Sequence, residues 1–371
     1  MTLKRTFNTI ILIVLFLLTV NCSCNAETII IDMAGREVRI PAEINKVLAV
    51  GHCIPIIAAI APNKLANNYN LSDQSKDLLP VSITKGKLIP ENRRRYSEDE
   101  VKKIAPDLIV MEINPDFPDH SAEFEKKFNA PVVMISQDMH KYKEAFTFLG
   151  DILDKKEQAK KLSDFIINYL EPIEKTAQSI PKDKRVSVYY AEGKDGLMSE
   201  PQGSNHIQAL EYAGGISVAQ IPKPKRPPLG PPPQKNMTGP GKEKKLRPRP
   251  NNVTIEQISK WNPSYILVWS PGAEELTTWN AITTNPEWQT VNAVKEGKMI
   301  QVPSIPYSWF DRPPGSNRII GTIWLAKLLY PDRYDFNLIP IMQEYFKLFY
   351  HTQLSTEQAA NLLKIAHPNQ Q

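Results

Sequence analysis

The chain has 371 residues, 42% hydrophobic and 23% charged, enough for two ordinary domains and unlike a disordered polypeptide. Its net charge of +5 misleads: residues 221–250 hold nine Lys/Arg against one Glu and residues 4–5 hold two more, so the rest of the chain is at −5. A mildly acidic body with one basic segment excludes a nucleic-acid-binding face, which interleaves basic and aromatic residues on a folded element.

Lys4 and Arg5 precede an unbroken apolar run, Ile10 to Val20, and a Cys-Asn-Ala sequence ending at Ala26. This is the order of a secretory signal, and the run is shorter than the roughly 20 residues a membrane-spanning helix needs. Residues 1–26 are read as a signal peptide cleaved after Ala26, and the predicted location is the periplasm. A lipid anchor at Cys22 or Cys24 is the alternative. Asn21 fits poorly before Cys22; Ser23 fits before Cys24, but Asn21 then stands where Leu is expected. With cleavage at Ala26, Cys53 is the one Cys left, so no internal disulfide is expected.

Residues 27–40 alternate like a β-hairpin turning at Met33-Ala-Gly35. Val47–Val50 reads as a short buried strand and Ile54–Ile60 as a buried helix. Glu98–Ile104 reads as a helix leading into a strand over Pro106–Glu112, and Pro131–Ile135 as another strand. This β-α-β alternation argues for a parallel sheet covered by helices, forming an N-terminal lobe over 27–140.

In residues 141–179 apolar side chains recur at three- and four-residue spacing from Phe146 to Leu170, the mark of a long helix. Such a helix is long enough to cross between two lobes. The alternation restarts at Arg185 and runs through a C-terminal lobe over 180–336. It includes a helix at Ile255–Trp261, strands at Tyr265–Trp269 and Met299–Val302, and a helix at Asn317–Leu329. Residues 337–371 form a helical tail. Residues 221–250, ten of which are Pro, cannot bury a core and read as an extended insertion. The predicted fold is α/β: two Rossmann-like lobes with parallel sheets, joined by a single long interlobe helix, with a ligand cleft between them.

Several segments carry a family likeness. They are Asp32–Pro41, Ile104-Ala-Pro-Asp-Leu-Ile-Val110, Ala213-Gly-Gly-Ile-Ser-Val-Ala219 and Val253–Leu267. Ser308-Trp-Phe-Asp-Arg312, Arg318–Ala326 and Tyr330-Pro331 complete the set. In this order and spacing the chain resembles the periplasmic binding proteins of ABC importers for ferric siderophores, haem, vitamin B12 and related metal compounds. The resemblance implies two lobes joined by a rigid helix, little closure on binding, and a monomer that delivers its ligand to an ABC permease and its ATPase. It also implies permease docking through one acidic side chain on each lobe, at Asp99 or its neighbour Glu98, and at Glu256.

The loops after the strands name the ligand-binding candidates. His52 follows the first strand, and Cys53 beside it reads as a small buried residue. Arg93 and Arg95 belong to a cluster whose guanidinium groups suit carboxylates, catecholates or oxyanions. Glu200, Ser204 and His206 enter the second lobe's first helix, with Ser204 as its N-cap. Direct metal coordination by His206 and Glu200 is an option, although two ligands do not complete a site. Trp309 offers a flat apolar wall and Arg312 a charged fork, with an Arg312–Asp311 pair as the structural alternative.

The expected function is capture of a metal chelate, an iron–siderophore complex first. Vitamin B12, a nickel or cobalt complex, and a molybdate-type oxyanion are the alternatives. No cofactor is expected beyond the transported ligand. The chain lacks HExxH, GxSxG, Walker A and Cys-x-x-Cys patterns, so no enzyme is expected. A surface interaction protein using the basic, Pro-rich insertion is the remaining class.

Overall fold

The computed structural model describes residues 27–69, 71–84, 89–91, 98–113, 119–222, 252–270 and 276–368. The signal segment with Cys22 and Cys24, the arginines Arg93 and Arg95, and nearly all of the 221–250 insertion lie outside the described residues. Among the described residues no helix is long and apolar enough to cross a membrane.

Strands β1 (Glu27–Ile31) and β2 (Glu37–Pro41) form the expected antiparallel hairpin. Its turn has a physical cause. The Asp32 carboxylate accepts the Ala34 and Arg36 amides, each at 3.0 Å, and Gly35 supplies the left-handed residue at φ 79°. The other Asp32 oxygen accepts the Met134 amide at 3.0 Å, which seats the hairpin on the N-terminal lobe.

That lobe contains β3 (Val47–Ala49), β4 (Asn67–Tyr69), β5 (Ile89–Glu91), β6 (Leu108–Ile113) and β7 (Val132–Ser136). The order β3-β6-β7 is fully parallel, and β4 pairs β5 in parallel. The Asn67 side chain joins the two groups, donating to the Ala49 carbonyl at 2.7 Å and accepting its amide at 2.9 Å. Chain order therefore reverses direction at β3, with β4 on one side and β6 on the other. The second sheet has β8 (Ser187–Ala191), β9 (Ile216–Ser217), β10 (Tyr265–Val268) and β11 (Met299–Gln301) in the order β11-β10-β8-β9, all parallel. Its reversal falls at β8. A crevice opens at the carboxyl end of a strand where the order reverses; His52 lies three residues past β3 and Glu192 directly follows β8.

The connector is shorter than the periodic stretch. Residues Tyr142–Ile152 form a separate helix. The chain then turns through Asp154, which takes φ 54°, and a continuous helical run begins at Lys156 and ends at Gln178. The two helices pack closely because residue 150 is glycine: a Cβ there would meet the Ala159 Cβ at 2.5 Å. The run from 156 to 178 is about 35 Å long at 1.5 Å per residue. At its start Gln158 donates to the Ala59 carbonyl of the first lobe at 3.0 Å. At its end Ala177 packs by Gly214 of the second lobe. One apolar core runs through both lobes, from Val47 and Ile54 to Tyr190 and Ile323. The tail supplies two helices, Leu338–Phe349 and Thr356–Lys364. The first stacks Tyr345 and Phe349 with ring centroids 4.4 Å apart, against Phe165 of the connector.

Arg318 fixes the lobes at the floor of the cleft. Fully buried, it begins the helix Arg318–Leu329. It donates to the Tyr142 hydroxyl, to the Gln137 carbonyl at 2.5 Å on the first lobe, and to the Asn205 carbonyl at 2.9 Å on the second. Three residues on, Gly321 lets this helix touch the backbone of Trp309. A Cβ at 321 would lie 1.6 Å from the Trp309 carbonyl oxygen.

Gly321→Ala is therefore expected to lower stability by about 1–3 kcal/mol and to displace the 309–312 segment. A fall in the urea midpoint together with weakened ligand binding is the predicted result. An unchanged midpoint would contradict this packing.

Candidate functional site

The loops that leave β3, β6 and β7 meet those that leave β8, β10 and β11. His52 sits in a short turn, Gly51–Cys53, after β3. Its Nδ1 lies 2.7 Å from Glu112 Oε2 on β6 and 3.2 Å from Gln137 Oε1 after β7. Across the cleft stands His206, with ring centroids 6.4 Å apart and planes at 87°.

Local sequence explains the placement of His206. Ser204 caps the turn Asn205–Ile207, its hydroxyl oxygen accepting the His206 amide at 3.2 Å. The same hydroxyl donates to Glu200 Oε2 at 3.0 Å. His206 Nδ1 pairs with Asp311 Oδ1 at 2.5 Å. Burial disfavours the imidazolium, but the Asp311 carboxylate outweighs it and holds the His206 pKa above its ordinary value. For Asp311 burial opposes ionisation, while His206 and Arg312 hold its carboxyl below the usual range.

Arg312 completes the group. Its Nε and Nη2 both reach Glu192 Oε1, at 2.8 and 2.5 Å, and Nη2 reaches Glu200 Oε1 at 3.0 Å. The guanidinium lies over the Trp269 ring, 5.6 Å from its centroid. Its side chain is 34% exposed, against 3% for Glu192. Burial is the chief influence on Glu192 and, against the pull of Arg312, pushes its carboxyl up to about 7. Four buried carboxylates, Glu112, Glu192, Glu200 and Asp311, thus face Arg312 and two histidines in a low-dielectric pocket.

His52, Glu200, His206 and Arg312 come together as one cluster. Trp309 does not join them. It is fully buried, edge-on to Trp324 at 6.1 Å, with its indole N–H donating to the Ile305 carbonyl. The aromatic wall beside Arg312 is Trp269 instead, because the 305–309 segment turns inward onto the Gly321 helix. Both Glu200 oxygens are engaged, by Arg312 and Ser204, and among the described residues no three His, Cys, Asp or Glu side chains are grouped to hold a metal ion. Cys53 is buried, as its small apolar character predicts. Asp311 pairs more closely with His206 than with Arg312, which lies 3.4 Å away.

Glu192 had one signal in the sequence: an acid that directly follows the apolar run of β8. The rim acids Glu98, Asp99 and Glu256 are exposed in the first turns of the helices Glu98–Ile104 and Ile255–Trp261, one on each lobe. Glu98 pairs with Lys102 at 2.7 Å.

Residues 58–306 match the family described as periplasmic binding protein. The molybdate-binding protein MolA of Haemophilus influenzae is 23% identical, over 94% of this chain and 98% of its own. Among solved structures, an ABC transporter solute binding protein from Sulfurospirillum deleyianum superposes with a TM-score of 0.75 at 24% identity, covering 91% of this chain and 99% of that one. MolA bound to molybdate gives 0.66 at 21% identity over 88% and 99%. The Helicobacter pylori CeuE complex with nickel–histidine gives 0.62 at 15% identity over 91% and 99%.

The cluster predicts how stability depends on pH. Folded Glu192 keeps its proton to about pH 7, whereas the unfolded chain releases it near the ordinary value of 4.5. The folded state thus binds more protons in that window, and stability falls as pH rises through it, by on the order of 3 kcal/mol. His206, also raised, adds a loss that begins near its unfolded value and continues through its folded one. Urea midpoints at the two ends of this range should differ in that direction, and Glu192→Gln should reduce the difference. Equal slopes in wild type and variant would refute the assignment.

Proposed function

The chain belongs to the periplasmic binding protein family, and we propose that it captures a small oxyanion of the molybdate class between its lobes and delivers it to an ABC permease and its ATPase. The observation that carries this reading is the approach of His52 and His206 to 6.4 Å across the cleft beside the guanidinium of Arg312. Three nitrogen-bearing side chains on two lobes converge on one small space.

A tetrahedral oxyanion accepts hydrogen bonds on all sides and suits such a ring of donors. The closeness of the two histidines is our reason for preferring a small ligand to a siderophore or a macrocycle. MolA, whose length this chain nearly spans, is named for molybdate binding, which supports the same class. The metal-chelate reading would draw on the same histidines, but the engagement of Glu200 by Arg312 and Ser204 leaves it less support. We assign delivery to Glu98 or Asp99 on one lobe and Glu256 on the other as permease contacts. Both sites are exposed and stand on opposite lobes.

Titration calorimetry of the mature protein with molybdate, tungstate, sulfate, nickel–histidine and a ferric catecholate tests the choice. Molybdate or tungstate should bind, and Arg312→Ala and His206→Ala should each weaken binding about 10- to 100-fold, the worth of a charged hydrogen bond. Binding of the ferric or nickel complex alone would overturn the oxyanion assignment.

A further inference from the structure

We propose that Glu192 is a specificity-determining residue that couples ligand capture to proton uptake: in the empty cleft it holds Arg312 as an internal anion, and when an oxyanion takes Arg312 over, the displaced carboxylate accepts a proton from solvent. The inference rests on the oxyanion reading above.

The geometry sets up a competition. Glu192 Oε1 receives both Nε and Nη2 of Arg312, one of the paired-donor edges that an oxyanion can grip. Glu192 is 2% exposed and its backbone pairs with Met198 in both directions, at 2.8 and 3.1 Å. A dianion bound on Arg312 would therefore lie close to a buried carboxylate with little water to screen it.

The neighbouring acids are better supported. Glu200 keeps the Ser204 hydroxyl on Oε2, and Asp311 keeps His206. For Glu192, Arg312 is the one side-chain partner among the described residues. The groups around it are Tyr190 on its own strand, Glu200 on the following loop, and Asp311 and Arg312 on the opposing one, with His206 beyond Asp311. All the nearby acids oppose its ionisation, and Arg312 alone favours it. Loss of Arg312 to a ligand therefore pushes the carboxyl further up from a value that already stands at about 7. The hydroxyl of Tyr190, buried and without a hydrogen-bond partner among the described residues, adds no compensating charge.

The proton balance is simple. One proton leaves the buffer and binds a Glu192 oxygen, and the Arg312–Glu192 ion pair is replaced by an Arg312–oxyanion pair. Affinity should then fall as pH rises above neutrality, approaching tenfold per pH unit where one full proton is linked. The site would load best in a mildly acidic compartment.

The test is calorimetry of the full mature protein with sodium molybdate in two buffers of different ionisation enthalpy, from about pH 7 to about pH 8.5. Wild type should take up roughly half to one proton per molybdate. Glu192→Gln should bind at least as tightly at the alkaline end, with a smaller proton count and a flatter pH curve. Glu200→Gln should retain the uptake. Zero proton uptake by wild type overturns the inference whatever the variants do, and so do parallel curves for wild type and Glu192→Gln. Failure of wild type to bind molybdate at any of these pH values, with binding of a ferric catecholate instead, overturns the oxyanion reading and this inference with it.

Discussion

The arrangement depends on a buried cation. Arg318 is fully enclosed and no carboxylate pairs with it among the described residues. Burying an unpaired charge is costly unless every donor is satisfied. Here the donors go to the Gln137 carbonyl, the Tyr142 hydroxyl, the Asn205 carbonyl and the Gln208 amide oxygen. Those partners come from both lobes, so the cation is solvated only while the lobes keep their mutual position. Gln208 extends the link by accepting the Met139 amide and donating to Asp138, and Ser316 adds a hydrogen bond to the Pro55 carbonyl. Rigidity here comes from hydrogen-bond satisfaction as well as from the connecting helix.

With the lobes fixed, the cleft holds a balance of charges and little slack. Each nitrogen-bearing side chain has a carboxylate beside it: Glu112 for His52, Asp311 for His206, and Glu192 with Glu200 for Arg312. These acids orient the donors, as a second layer of residues does around a bound ion. An incoming anion competes with them, so selectivity resides in the strength of these internal pairs as much as in the donors themselves.

The two-lobed architecture was legible because it follows from local patterns. The apolar runs ending at Gly51 and Gly193 repeat the same strand-to-loop motif, and strand order reverses at the strand before each. His52, His206 and Arg312 were visible as polar residues at strand ends. What stayed hidden required tertiary contacts. No pattern separates Arg318 from an ordinary helical arginine, since its function lies in carbonyls at 137 and 205. Trp309 read as a cleft wall because the segment 308–312 resembles the one that reaches the ligand in vitamin B12-binding members of the family, but the absence of a Cβ at Gly321 lets that segment pack inward. The long periodic stretch concealed the turn at Asp154, because both helices present apolar side chains at the same spacing.

The most direct test is native mass spectrometry of the protein purified from its own periplasm, paired with elemental analysis. The account predicts one molybdenum or tungsten oxyanion per chain, absent from Arg312→Ala prepared in the same way. Stoichiometric iron or nickel carried with an organic chelator would contradict it, as would a protein that comes out empty and is not stabilised by any oxyanion.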